Sequence, residues 1–371
     1  MKKKPLEALE KLEKISGSSK TVLLLLGIAI ALSLFSHWMV WSEWYYPTYG
    51  NTNIHVAFAQ NILQHGTYPL EDFSYGGGIP ALYVPGYRVL LAGTAFIAGN
   101  IDLAQRLLVM LFAVLLPLGF FLLGRELFGD YAGIAAAFLA SLPTELIVYT
   151  VRPLPQALGL ALLPFAFYAI AVNKRNAAFA LTAAIALVHQ EAIAFLVSAA
   201  FAYATISFAH DVAKTRKISM PKESAWTALL CWALGVAVYF AWHFIATGNP
   251  NVFGLAQFSN HEGAVVELGY FIEKTGVVTA GLSALGALFL ILAIATDKSK
   301  RNLSRQLFIA AMALTGLLFT KNELFGIRVF MDRFLVFWQI PLVLLAAFAM
   351  VKTADYALHF DWKISFPKLS R

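Results

Sequence analysis

Charge is scarce in this sequence. Of 371 residues, 13% are charged and 59% are hydrophobic, against roughly 25% charge in an ordinary soluble domain. That deficit excludes a conventional soluble fold and implies a bilayer as solvent. Cysteine is scarcer still. Cys231 stands alone, which rules out an internal disulfide and a cysteine-based metal cluster. No internal repeat is visible, and no stretch of soluble-domain size remains once the apolar runs are removed. Ionisable groups are also missing from the middle of those runs. A proton-coupled transporter or ion channel needs them at the bilayer midplane, so their absence argues against passage through the membrane. The net charge of +7 fits a bias of Lys and Arg toward the cytoplasmic side better than an affinity for nucleic acid. The first 20 residues are too long and too acidic before the apolar run to read as a signal peptide. Leu6, Leu9, Leu12 and Ile15 recur at helical spacing among Lys and Glu, which suits an amphipathic helix on the cytoplasmic face or a solvated tail.

What is present is a series of apolar runs. They predict an all-α polytopic bundle of about 10 transmembrane helices. The first covers 21–40 and follows six lysines, which places the N-terminus inside. An outer loop spans 41–101, and further spans are expected near 102–123, 131–150, 154–172, 226–246, 277–295, 306–320 and 334–351. A second outer loop covers 247–274. The chain then divides into a cytoplasmic tail (1–20), a membrane module (21–351) and a second cytoplasmic tail (352–371). The apolar run over 177–208 has basic residues at both ends. As one helix it would measure roughly 48 Å at 1.5 Å per residue, too long for a core of about 30 Å. It should break at His189-Gln190-Glu191 into two short spans. On this arrangement 21 of the 28 Lys and Arg residues lie inside, as the positive-inside rule requires.

The ionisable residues that do border the spans collect on the outer rim: Arg88, Arg106, Glu145, Arg152, His189, Glu191, His243, Arg328, Asp332 and Arg333. So many on one side suggest a shared polar cavity at the outer surface. Each has a plainer reading beside the functional one. Arg88 and Arg106 could snorkel to headgroups, Arg152 could anchor a proline turn, and Arg333 could pair with Asp332. The opening loop is the most polar stretch. Ile54, Phe58 and Ile62 recur at i, i+4 spacing and Gly66 follows, which predicts an amphipathic helix over 53–65 with its apolar stripe on the membrane. Asn51, Thr52 and Asn53 stand where a helix N-cap belongs. Glu71 and Asp72 follow in a turn, Gly76 to Gly78 form a bend, and PALYVPGYR reads as a turn-rich return to the membrane.

This order of features resembles the GT-C superfamily of glycosyltransferases, integral membrane enzymes that use lipid-linked sugar donors and include the oligosaccharyltransferases and protein mannosyltransferases. The stretch from Asn51 to Pro69 is similar to the loop of archaeal and oligosaccharyltransferase-type members: an Asp, a His four residues on, a short helix, then Gly-x-x-Pro. Weaker likenesses lie at Arg152 to Gly159, at the His189 break and at Arg333. The resemblance implies transfer of a sugar from a polyprenyl-phosphate-linked donor to a protein, glycan or lipid acceptor at the outer face of the cell membrane. The length, without the soluble C-terminal domain of oligosaccharyltransferases, fits a smaller transferase. The family's early acidic residue falls on Asn51, and an amide cannot take a proton from an acceptor. Another acid, Asp72, Glu71 or Glu43, is therefore expected to serve, and Asp72 is taken as the base, with Glu71 and His55 nearby. Arg152, Arg333 and His189, with Glu191, would hold the lipid phosphate. A divalent metal on Asp72, Glu71 and His55 is a further option, although that ligand set is thin. Two rivals stand beside the enzyme: an inactive relative serving as a lipid-binding or scaffold subunit, which Asn51 favours, and a lipid or solute transporter.

Overall fold

A computed structural model describes residues 19–43, 52–72, 78–142, 145–216, 223–248, 263–296 and 299–359. Those residues form fourteen α-helices and one two-stranded ribbon. In chain order these are α1 (Ser19–Glu43), α2 (Thr52–His65), β1 (Glu71–Asp72), β2 (Ile79–Pro80), α3 (Gly86–Ala98), α4 (Ile101–Phe128), α5 (Asp130–Ser141), α6 (Glu145–Thr150), α7 (Pro155–Ala171) and α8 (Arg175–Val188). They continue as α9 (Gln190–Thr215), α10 (Glu223–Thr247), α11 (Leu268–Thr275), α12 (Val277–Thr296), α13 (Lys300–Thr320) and α14 (Met331–His359). Seven of them (α1, α4, α9, α10, α12, α13 and α14) are long and apolar enough to cross a membrane, and α3, α7 and α8 are shorter apolar helices. The fold is an all-α polytopic membrane bundle.

The main core lies where α4, α7, α9, α13 and α14 meet. Phe167 of α7 packs edge-on against Phe195 of α9 and Phe308 of α13, and Phe195 meets Phe337 of α14. α14 runs through the centre, with most of its side chains buried from Leu335 to Ala349. Against it, α12 approaches so closely at Gly286 that a Cβ there would run into the Leu345 carbonyl. Small residues permit such contact where lipid offers helices no hydrophobic drive to associate.

Hydrogen bonds define the two ends of the bundle. At one, here the base, Tyr203 of α9 bonds Ser224 of α10 (2.8 Å) and Ser304 of α13 (2.7 Å). Asn173, in the turn between α7 and α8, meets Glu223 (2.7 Å) and Thr227 (2.6 Å) of α10. Arg305 of α13 reaches Glu126 near the end of α4 at 3.1 Å. The start of α8 and the middle of α9 thus both lie at the start of α10. α8 climbs away from the base, α9 returns to it, and their junction at His189 stands at the opposite end, which carries the candidate site.

The break expected in the 177–208 run falls on His189, whose backbone is extended (φ −155, ψ 127) between α8 and α9. Three other boundaries differ from expectation. The span predicted over 131–150 is two helices, because Leu142 is extended (φ −74, ψ 152) and precedes Pro143, whose ring disfavours helical geometry in the residue before it. The return segment holds a helix, α3, beginning directly after Pro85. α14 continues to His359, past the predicted end at Val351. The N-terminal amphipathic segment, Asn51, Gly76, Gly77, the loop residues His261 and Glu262, and the tail beyond His359 lie outside the described residues.

Candidate functional site

The opening loop supplies one half of the site. Its helix α2 forms where the spacing predicted it, but on a different face. Thr52, His55, Phe58 and Ala59 are buried and the helix packs on α3, while Leu63 is exposed. The reason is Arg88 of α3. Instead of snorkelling, it is buried to 1% exposure and gives His55 a partner inside the protein. Its Nε donates to His55 Nδ1 (3.2 Å) and its Nη1 donates to Tyr68 Oη (2.8 Å). The guanidinium lies 3.6 Å from the Phe58 ring centre and 5.4 Å from that of Tyr83, a cation over aromatic faces. Burial, the Arg88 charge and then His189 hold His55 at about 3, far below its ordinary value, so the imidazole is neutral. Burial also pushes the Tyr68 phenol up, against the pull of Arg88. In the ribbon, Glu71 pairs with Pro80 and Asp72 with Ile79. Successive strand residues face opposite sides, and here Asp72 is buried while Glu71 is exposed.

The helix break supplies the other half. His189 caps α9, its Nδ1 accepting from the Ala192 amide at 3.3 Å, which satisfies one free N–H of the helix start. Gly159 of α7 lets the break come close, since a Cβ there would lie 2.8 Å from the Ala192 Cβ. In the first turn of α9 stands Glu191, 3% exposed. Its Oε1 accepts from Arg333 Nη1 and its Oε2 from Gln156 Nε2, each at 3.4 Å. Arg333 enters from the first turn of α14, and its side chain remains 47% exposed. The carboxylate therefore ties α7, α9 and α14 together while the arginine keeps an open face.

Tyr83 joins the halves. Its ring lies 5.1 Å from His55 and 6.3 Å from His189, and its phenol, driven well above its usual value by burial, also feels Glu191, Arg88 and Arg333. His189 stacks in turn on Phe337 of α14 at 6.1 Å. Arg152 borders the group. Trp41 of α1 donates to the Val151 carbonyl at 2.9 Å, fixing the turn, and the Arg152 guanidinium lies over Tyr149 at 4.7 Å. Tyr149 sits in the field of both Arg152 and Glu191.

Of the sequence candidates, His55, His189, Glu191 and Arg333 come together, with Arg152 at the edge. Asp72 belongs to the loop side, where it acts on Tyr68, and Glu71 turns outward. Tyr83 and Gln156 were not anticipated, being uncharged residues, the first in a segment read as a turn and the second within a predicted span. The only sequence signal for Gln156 is a polar residue at the head of an apolar helix. The metal suggestion does not fit its proposed ligands. Glu71 and Asp72 face opposite ways, and the Nδ1 lone pair of His55 is taken by a cation. Among the described residues no three His, Cys, Asp or Glu side chains converge on a point. Beside Glu191, a crevice of about 170 Å³ runs between α9, α10 and α14, lined by Ile193, Val197, Val236, Tyr239 and Phe334.

No family model matches the chain, and no curated protein matches it by sequence. Solved structures do match. The apo oligosaccharyltransferase of Archaeoglobus fulgidus aligns with 92% of this chain and 53% of its own length, at 12% identity and a TM-score of 0.66. The same organism's AglB, with an inhibitory peptide and a dolichol-phosphate, aligns with 93% of this chain and 52% of its own, at 12% identity and TM-score 0.61. The form tethered to an acceptor peptide covers 92% and 50%, at 13% identity and TM-score 0.59. The chain spans about half the length of these structures. Its fold is similar to that of about half of the archaeal oligosaccharyltransferase chain.

Proposed function

We propose that this chain is a membrane glycosyltransferase that moves a sugar from a polyprenyl-phosphate-linked donor to an acceptor. The observation that carries this reading is the Glu191–Arg333 contact at the helix break. A guanidinium tethered on one side by a buried carboxylate and open on the other suits a phosphate, whose geometry it matches. The crevice beside Glu191, apolar along most of its length, supports approach of a lipid chain from the side. The fold likeness to a protein solved with a dolichol-phosphate supports the donor class, and the likeness to one solved with an acceptor peptide supports a protein acceptor. The distribution of Lys and Arg supports an active face outside the cell membrane with both termini in the cytoplasm.

In this reading the acceptor attacks the anomeric carbon as its bond to the phosphate oxygen breaks. The acceptor proton passes to a carboxylate, and the departing phosphate places its charge on Arg333. Asp72 is the base. It is the buried acid of the ribbon, whereas Glu71 is exposed and His55 has its free lone pair occupied by Arg88. The test is transfer of radiolabelled sugar from a polyprenyl-phosphate donor in membranes. Asp72→Asn should lower the rate by about 10²- to 10⁴-fold, and Arg333→Ala by about 10²- to 10³-fold. An unchanged rate in the first removes Asp72 as base, and in the second sinks the phosphate assignment. The amide at position 51 favours one rival, a catalytically inactive relative. No transfer by the natural sequence, with transfer appearing in Asn51→Asp, would establish that rival instead.

A further inference from the structure

The partners of Arg88 decide which nitrogen of His55 carries the proton. A guanidinium has five donors, no acceptor, and stays charged. Its Nε can therefore only donate to His55 Nδ1, at 3.2 Å, and the neutral ring must hold its proton on Nε2. Among the described residues no hydrogen bond reaches that Nε2, although the side chain is only 2% exposed. Tyr87, edge-on to the same ring at 5.7 Å, has a buried hydroxyl with no hydrogen bond either. The buried Tyr87 hydroxyl represents desolvation without return unless a ligand completes it, and the same ligand would take the His55 Nε2–H.

The surrounding charge defines that ligand. His55 is faced by Arg88 and Tyr87 from α3, by Tyr83 from the segment before it, and by His189 from the helix break. The guanidinium is buried among His55, Tyr68, Phe58 and Tyr83; among the described residues no carboxylate bonds it, and Asp72 acts on it only through the shared Tyr68. A buried cation whose contacts are all neutral favours an anion nearby. We propose that His55 and Arg88 form an anion subsite, in which His55 Nε2–H donates to a phosphate oxygen of the donor lipid and Arg88 acts as the positioning residue that fixes the tautomer. This rests on the lipid-phosphate reading above and adds a neutral donor, from the opening loop, to the guanidinium supplied by α14.

The experiment uses the full chain in lipid nanodiscs, titrated separately with a short-chain polyprenyl phosphate, the corresponding alcohol and inorganic phosphate. His55→Phe keeps an aromatic ring and removes the donor. It should weaken polyprenyl phosphate binding by about 10- to 100-fold and leave binding of the alcohol unchanged. His55→Gln, whose amide nitrogen falls near the place of Nε2, should stay close to wild type. ¹⁵N spectra of labelled histidine in the wild type should show Nδ1 bare and Nε2 protonated, with the Nε2 signal moving when the phosphate binds. A proton on Nδ1, or wild-type affinity in His55→Phe, overturns the subsite while leaving the donor reading intact. Binding of inorganic phosphate but not the lipid phosphate, still lost in His55→Phe, upholds the anion subsite and sinks the lipid-donor reading.

Discussion

Burying an imidazole against a guanidinium makes folding depend on pH. The folded-state value of His55, about 3, lies below its unfolded value of 6.5. The native chain therefore binds fewer protons than the unfolded chain between these values. The stability tied to neutral His55 is complete above about pH 6.5 and is lost as the pH falls toward 3, at about 1.4 kcal/mol per pH unit. Lowering the pH from 6.5 to 5.5 should reduce the thermal stability of the wild type more than that of His55→Gln, and equal reductions would contradict a neutral, buried His55. The sequence placed His55 among the site residues because of its position in the opening loop. It placed Arg88 on the rim without deciding its direction, because an arginine at a membrane rim can snorkel outward or turn inward. Only the face that α2 presents to α3 decides between the two. Asp72 and Glu71 were likewise inseparable in the sequence, and a two-residue strand pairing separated them.

At the scale of helices, length was the most readable signal. The run over 177–208 had to break, and the polar triplet within it marked where. The interruption after Leu142 was less visible because the apolar pattern continues across Pro143. α3 was hidden by the prolines and glycine before it, which read as turns although Gly86 starts a helix. Close packing between helices was not legible, since a glycine in an apolar run looks the same whether it faces lipid or another backbone. Gly281 and Gly286 of α12 show the difference: a Cβ meets nothing within 4 Å at the first and the Leu345 backbone at the second. Gly286→Val should cost about 1–3 kcal/mol through forced separation of α12 and α14. Gly281→Ala should be neutral or slightly stabilising, since alanine is the better helix former. Thermal unfolding in detergent of the two variants provides the measurement, and equal midpoints would contradict the tight α12–α14 contact.

For the molecule as a whole, the proposed orientation puts the site end outside. The sole cysteine, Cys231, is buried, so replacing it by alanine leaves a background for labelling. Leu324 is exposed between α13 and α14 at the site end, and Asn176 is exposed at the base. In intact cells, a maleimide that cannot cross the membrane should label Leu324→Cys and should label Asn176→Cys only after permeabilisation. The reverse pattern would put the site in the cytoplasm. The overall fold was legible because hydrophobicity and basic flanks constrain a membrane chain strongly. The meeting of Glu191 with Arg333, 142 positions later in the chain, was legible only as a shared rim, because contacts between distant segments leave no local pattern.

The extended residue between α8 and α9 also governs the count of crossings. With helices of 14 and 26 residues meeting at His189, the chain turns back toward the base, which on the expected topology is an even number of passes. Were the helix continuous through that residue, the pair would become a single pass and every later segment would be inverted. Arg333 would then emerge on the opposite side of the membrane from His55, and the two halves of the site could never meet. On that topology His189 is a parity element as well as a wall of the cavity.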